Sequence, residues 1–230
     1  MYHVLICDDD ADIRNALCLY LAPEGYRIFE AADGQQALQI LQSEDIHLVL
    51  MDIMMPQLDG IAATSQLRLQ SNVPVIMLTA KSEDADKVLG LNVGADDYIT
   101  KPFSPIEVQA RVRSHLRRYT SLGGIHPTAG VLRNGGIVLD NDAREVTVDG
   151  ERVLLTPIEY SILLLLMRNP GKVFSSAEIY RDVWKEQPMG SDGAVAVHIR
   201  HLREKIEINP SDPRYIKVIW GQGYKMEVQK

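Results

Sequence analysis

The sequence predicts an α/β fold: a doubly wound sheet of five parallel strands, followed by a smaller unit of short strands and helices. Three observations lead there. Five apolar runs (HVLIC, YRIFEA, IHLVLM, VPVIML, DDYIT) alternate with helical patterns across roughly residues 1–118. The alternation then stops at TSLGGIHPTAG (Thr120–Gly130), which is rich in Gly, Thr and Pro and poor in large apolar residues, as a linker is. Beyond it the apolar runs shorten, alternate with polar residues, and end in YIKVIWGQGYKMEV, two strand patterns around a Gly-rich turn.

In the first unit each strand has its helix. HVLIC leads to Asp10–Leu21, YRIFEA to Gln35–Leu41, IHLVLM to Ile61–Leu69, VPVIML to Glu83–Leu91, and DDYIT to Pro105–Tyr119. Asp33 with Gln36, and Ser104 with Glu107, have the spacing of capping boxes, and Pro105 suits a first helical position. In the second unit GGIVLD, REVTVDG and ERVLL read as strands, and the Asp149-Gly150 turn joins the last two in a hairpin. Thr156-Pro157-Ile158-Glu159 opens a helix that Asn169-Pro170-Gly171 closes. Ser175 and Glu178 open a second helix, and a third runs over Asp192–Ile206. Strands, three helices and a closing hairpin make a winged helix-turn-helix.

Two hundred and thirty residues, 46% of them hydrophobic, fit two small domains with real cores. No stretch approaches the ~18 uninterrupted apolar residues of a membrane span. Aspartates appear by position 8, so no secretory leader is expected. Cys7 and Cys18 are expected as reduced thiols of a cytoplasmic protein rather than as a disulfide. Residues 1–120 hold 17 acids against 10 Lys and Arg, whereas residues 121–230 hold 14 of each. The acidic whole argues against a nucleic-acid binder, but the second half leaves room for a local basic face.

Polar residues punctuate the ends of the apolar runs: Asp8-Asp9, Asp52, Thr79, and Lys101-Pro102. Ligands of open α/β sheets bind outside the carboxyl ends of the strands, so these residues should converge on one rim. Three carboxylates repel one another unless a hard cation joins them, and Mg2+ prefers such oxygens. A lysine and a hydroxyl alongside suit phosphoryl oxygens. The set reads as a site that holds a metal and a phosphoryl group on an aspartate. Each residue alone has an ordinary alternative: Asp52 capping a turn, Asp8 or Asp9 capping a helix, Thr79 ending a strand, Lys101 solvated in a loop. Asp10 is the better candidate for the helix cap.

The stretches ICDDDADIR, LVLMDIMMPQLDG, IMLTAK and GADDYITKPF resemble the CheY-like receiver domain of two-component response regulators. The remainder resembles the winged-helix output domain of the OmpR/PhoB subfamily. The resemblance implies a receiver over 1–118, a linker over 119–130 and a DNA-binding domain over 131–230. It implies Asp52 as phosphoacceptor, and Mg2+ held by Asp8, Asp9, Asp52 and the Met54 main-chain carbonyl. Lys101, joined to Pro102 by a cis peptide, and Thr79 would contact the phosphoryl group, with Tyr98 as aromatic switch. Met54 and Lys81 would tune the lifetime of the phosphate. Lys87 with Glu107, Asp97 with Arg111, and Asp96 with Arg118 would pair between copies across the fourth and fifth receiver helices, giving a homodimer on phosphorylation.

On the helix Asp192–Ile206, Val195, Ile199, Leu202 and Ile206 should face the core. Gly193, Val197, Arg200, His201 and Glu204 should lie opposite, with His198 and Arg203 at the flanks. The resemblance makes this the recognition helix, with Val197, His198, Arg200, His201 and Arg203 toward DNA and Lys217 and Lys225 on phosphates. Trp220 stands where the wing often carries arginine, and either packs inward or lies along a sugar edge. The implied partners are a sensor histidine kinase, promoter DNA in direct-repeat half-sites and, through the loop Trp184–Ser191, RNA polymerase; no membrane is implied. Two other classes compete: a phosphatase with an aspartyl intermediate, which generally has a second acid where this chain has Met54, and a DNA-binding protein whose receiver is vestigial.

Overall fold

The computed structural model describes residues 1–80, 93–121, 130–185 and 192–229, without the side chains of 118–121 and 192. It divides into two units, residues 1–121 and 122–230.

The first unit is built on β1 (His3–Cys7), β2 (Arg27–Ala31), β3 (Leu48–Asp52), β4 (Val75–Ala80) and β5 (Asp97–Lys101). All neighbours are parallel, in the order β2-β1-β3-β4-β5. The central strands are covered on both faces, which is why they read as continuous apolar runs. One face buries Leu5, Val49, Met51 and Met77 beneath α2 (Gly34–Ser43) and α3 (Gly60–Arg68). The other buries Val4, Ile6, Leu50 and Leu78 with α1 (Ala11–Leu21) and α4 (Pro105–Ser121). The helix expected over 83–91 lies outside the described residues. Asp10, Asp33 and Asp59 cap α1, α2 and α3, each accepting a main-chain N–H of the first turn. Cys7 is buried and Cys18 partly so; both are free thiols, and burial first, then the charges of Asp8 and Asp33, pushes the Cys7 thiol far up.

The second unit opens on an antiparallel sheet: β6 (Val131–Asn134), β7 (Ile137–Asp140), β8 (Glu145–Val148) and β9 (Glu151–Arg152). The β8–β9 turn has φ 51° at Asp149 and 91° at Gly150, as a two-residue hairpin turn requires. The short β6 escaped the sequence reading. Helices α5 (Pro157–Arg168) and α6 (Ser176–Trp184) start in full capping boxes, Thr156 with Glu159 and Ser175 with Glu178. Helix α7 (Asp192–Ile206) follows, then β11 (Ile216–Ile219) and β12 (Gly223–Met226), which pair antiparallel. A second short strand that escaped the sequence reading, β10 (Val173–Phe174), completes this sheet on β12.

Candidate functional site

The strand ends bring the expected residues together. Asp8 lies just past β1 and is completely buried, Asp52 ends β3 nearly buried, and Asp9 is exposed beside them. Each offers a carboxylate oxygen within 4.8 Å of the others. Lys101, at the end of β5, places Nζ 2.7 Å from Asp8 Oδ2 and 2.7 Å from Asp52 Oδ1. The Lys101–Pro102 peptide is cis. Asp8 Oδ1 accepts the Asp10 N–H at 3.0 Å, and Asp52 Oδ2 accepts the Met54 N–H at 3.1 Å. Asp10, as expected, caps α1 by accepting the Asp12 N–H at 2.8 Å. The loop after β3 folds back tightly: the Gly60 N–H donates to Ile53 O at 3.0 Å, and a Cβ on Gly60 would run into the Asp52 carbonyl.

The charges do not cancel. Burial pushes the Asp52 carboxyl above its ordinary range; the Lys101 hydrogen bond and charge and the Met54 N–H pull it down, and Asp8 pushes it up again. Burial works against the Lys101 charge, yet hydrogen bonds and charges from Asp52 and Asp8 hold its ammonium above the ordinary lysine value. Among the described residues, three carboxylates and one ammonium form an oxygen-rich, net negative pocket, and that donor set fits a hard dication such as Mg2+. Thr79 is buried at the end of β4 and donates its hydroxyl to Ala80 O at 3.2 Å; Tyr98 is half-buried against the α2/α3 side of the sheet. Met54, whose main-chain N–H meets Asp52, has a side chain that is 74% exposed.

The expected dimer-face residues sit differently. Asp97 and Arg111 do meet, but within one chain: Arg111 Nη1 lies 2.9 Å from Asp97 Oδ2, and His115 Nε2 lies 3.0 Å from the same oxygen. Burial would raise the Asp97 carboxyl, but the His115 hydrogen bond, the Arg111 and His115 charges and the Tyr98 N–H bring it well below the usual range. Glu107 also pairs with Arg111 in the chain, at 3.2 Å. Asp96, expected at the surface, is instead wholly buried: its Oδ2 accepts Arg68 Nη2 and the Val75 N–H, both at 2.9 Å. Arg68 closes α3 and also donates to the carbonyls of Gly94 and Val73, so its guanidinium joins α3 to the segments before β4 and β5. Lys81, Lys87 and the side chain of Arg118 lie outside the described residues.

The second unit corrects the expected helix face. Val195, Ile199, Leu202 and Ile206 are core, as predicted. But Val197, His198 and His201 are buried too, His198 with its ring 5.5 Å from that of Trp184. Helix α7 contacts both α5 and α6, so its covered arc is wider than one stripe. The exposed positions are Gly193, Ala196, Arg200, Glu204 and Lys205. Arg200 and Glu204 pair at 3.3 Å, and Arg200 Nη2 is 3.3 Å from His201 Nε2. Arg203 turns from the expected flank to hold the Ile216 carbonyl, with Nε at 3.1 Å and Nη2 at 2.7 Å. Buried Glu207, which sequence reasoning missed, accepts the N–H groups of Arg214, Tyr215 and Ile216 at 2.6–3.1 Å. These two side chains tie β11 to the end of α7. Lys217 faces Lys225 across the hairpin, and Lys225 also pairs with Glu227 at 2.9 Å. Residues 186–191 of the loop expected at RNA polymerase lie outside the described residues.

A receiver-type carboxylate pocket on a five-stranded parallel sheet, joined to a winged helix, defines a response regulator. The comparisons agree. Residues 4–113 match the family described as response regulator receiver domain, and residues 150–226 match transcriptional regulatory protein, C terminal. The regulatory protein VanR of Enterococcus faecium is 39% identical over 97% of this chain and 98% of its own length. The transcriptional regulatory protein ResD of Bacillus subtilis is 42% identical over 98% and 95%. The crystal structure of DrrB, a Thermotoga maritima OmpR/PhoB homolog, is 31% identical with a TM-score of 0.50, covering 99% of both chains. The chain belongs to the OmpR/PhoB-type two-component response regulators, DNA-binding regulators of transcription.

Proposed function

We propose that a partner histidine kinase transfers a phosphoryl group to Asp52, and that the phosphorylated chain dimerises and binds promoter DNA in direct-repeat half-sites. The observation that carries this is Lys101 Nζ held 2.7 Å from both Asp8 and Asp52 inside a cluster of three carboxylates. An Asp52 carboxylate oxygen attacks phosphorus, the bond from phosphorus to the donor breaks, and the donor leaves with its electron pair. Lys101 is already placed to follow the charge from the carboxylate to the phosphoryl oxygens. The buried Thr79 hydroxyl has only to turn from Ala80 O to donate to the new group, and Tyr98 on the adjoining strand follows that turn. Asp8, Asp9 and Asp52, with the Met54 carbonyl, would hold Mg2+, which supplies charge neutralisation for the transferring group.

Dimerisation through the fourth and fifth receiver helices then requires exchange. Asp97 and Arg111, paired within one chain here, would re-pair between chains, alongside Lys87–Glu107; buried Asp96 would have to leave Arg68 before it met Arg118. Exposed pairs contribute only ~0–1 kcal/mol each, which suits an interface that phosphorylation tips. The domains are assigned to 1–118, 119–130 and 131–230, the protein to the cytoplasm, and the loop before α7 to RNA polymerase. On DNA, Arg200 is the exposed base-reading candidate, with Lys217 and Lys225 on phosphates. The test is acid-labile phosphate and oligomeric mass for wild type and Asp52→Asn, each with Mg2+ and acetyl phosphate. Labelling and a monomer-to-dimer shift in wild type alone are expected. Equal labelling of Asp52→Asn would remove Asp52 as acceptor, and an equal mass shift in both would favour a receiver that does not control DNA binding.

A further inference from the structure

The three carboxylates of the pocket are held by unequal means. Asp52 is braced by the Met54 N–H and by Lys101, and Asp8 by the Asp10 N–H and the same lysine. The Asp9 carboxylate is exposed, and among the described residues no hydrogen bond or ion pair restrains it. Its direction is set by its main chain, and that main chain is held by Arg14. One nitrogen, Arg14 Nη1, donates to the Asp8 carbonyl at 2.7 Å and to the Asp9 carbonyl at 3.2 Å. These carbonyls belong to the two peptide planes that flank the Asp9 Cα. Fixing both planes fixes the direction in which the Asp9 side chain leaves the backbone. Arg14 is anchored in turn. It lies in the first turn of α1, where its own N–H donates to Asp10 O at 3.1 Å. Its Nε lies 3.3 Å from Glu30 Oε2 on β2, the strand beside β1. The Arg14 side chain is 17% exposed, so water competes little for these bonds.

We propose that Arg14 is a positioning residue of the phosphoryl-transfer site: oriented by Glu30, its guanidinium holds the β1–α1 loop so that the Asp9 carboxylate is aimed at the metal. This rests on the reading of Asp52 as a phosphoacceptor assisted by Mg2+, and deepens it. Arg14 acts through the Asp9 main chain and not on the reacting atoms. Its planar fork serves an acid and two carbonyls at once, a geometry that an ammonium reproduces only in part. Charge alone predicts the opposite effect, because a cation beside a dication site opposes metal binding. Glu30 answers that charge, which leaves the geometric role to dominate. Removing a partner that orients metal ligands typically costs 10–100-fold in metal affinity. Arg14 supports one ligand of the set, which puts its loss at the low end, about tenfold.

The test titrates Mg2+ into the unphosphorylated full-length chain and follows the amide chemical shifts of Asp52 and Met54. Arg14→Ala is expected to raise the Mg2+ Kd about tenfold. The Mg2+ concentration that half-saturates acetyl phosphate labelling should rise in parallel, with the labelling rate at saturating Mg2+ unchanged. In an Asp9→Ala background, Arg14→Ala should weaken Mg2+ no further, because the residue through which it acts is gone. Arg14→Lys keeps the charge, so a loss there is geometric; about threefold is expected. Metal-free urea unfolding of each variant reads the fold separately. Lower stability with wild-type Mg2+ affinity would make Arg14 a brace for folding alone and overturn the proposal. Tighter Mg2+ binding in Arg14→Ala, or the same tenfold loss without Asp9, would overturn it as well. If Arg14→Ala does not fold, wild-type affinity in Arg14→Lys overturns it. Failure of the wild type to bind Mg2+, or equal labelling of Asp52→Asn, would instead strike at the phosphoacceptor reading.

Discussion

Deleting the Lys101 ammonium tests the electrostatics of the carboxylate pocket directly. Asp8 is fully buried and Asp52 nearly so, and both depend on one Nζ at 2.7 Å. Lys101→Ala leaves two carboxylates facing each other without the ammonium that pairs with both. Breaking a buried pair by removing one partner costs about 3–5 kcal/mol, and the lysine is partly open to water, so about 3 kcal/mol is expected here. The two distances are equal, so the loss should divide evenly between the partners. In an Asp52→Asn background the same substitution should then cost only about 1.5 kcal/mol, half the value above, the remainder being coupling between Lys101 and Asp52. Native-state hydrogen exchange of the β1 and β3 amides, metal-free and at neutral pH, measures all four proteins of the cycle. Mg2+ should restore part of the loss in Lys101→Ala, because a dication answers the same oxygens. A cost that is the same in both backgrounds would show that Lys101 does not compensate Asp52, and the account of the pocket would fall.

Three further outcomes are expected. Glu207→Ala strands three main-chain N–H groups at the base of the wing and should destabilise the second unit by about 3 kcal/mol, Glu207→Gln by less; urea unfolding followed through Trp184 emission reads both. Asp97 has a carboxyl held below the ordinary range, so its pairing stabilises the fold above the unfolded pKa of ~3.9 and loses that contribution as pH falls through the depressed folded value. Asp97→Asn should accordingly flatten the acid side of the receiver's stability profile, and an unaltered profile would count against the Arg111 and His115 contacts. Gly60→Ala pushes a methyl into the Asp52 carbonyl and should cost about 1–3 kcal/mol while slowing acetyl phosphate labelling; normal labelling would show that the loop yields freely.

The carboxylate–lysine pocket was legible because its logic is one-dimensional. A parallel strand buried on both faces is a plain apolar run, and the first polar residue after it must stand on the rim. Asp8 and Asp52 follow that rule and Lys101 ends the fifth strand one residue after Thr100, so counting along three runs was enough to bring these three together. The N-caps were legible for a similar reason, since Thr156 with Glu159 and Ser175 with Glu178 act across three residues. Asp96 was not legible. Whether an acid beside β5 faces solvent or the end of α3 depends on Arg68, twenty-eight residues away, and no local pattern links them.

Helix α7 shows where periodicity runs out. A single apolar stripe assigns one face inward and leaves the rest to solvent, which holds for a helix resting on one neighbour. This helix touches two, α5 and α6, and also carries the base of the wing. Its covered arc therefore takes in Val197, His198 and His201 as well as the stripe, and Arg203 is drawn off to the Ile216 carbonyl. What remains outward is Gly193, Ala196, Arg200 with its partner Glu204, and Lys205, whose ammonium lies 2.6 Å from Glu159. Both exposed cations of the helix thus have acidic partners within the unit, while Arg203 and Glu207 are engaged in holding the hairpin beside it.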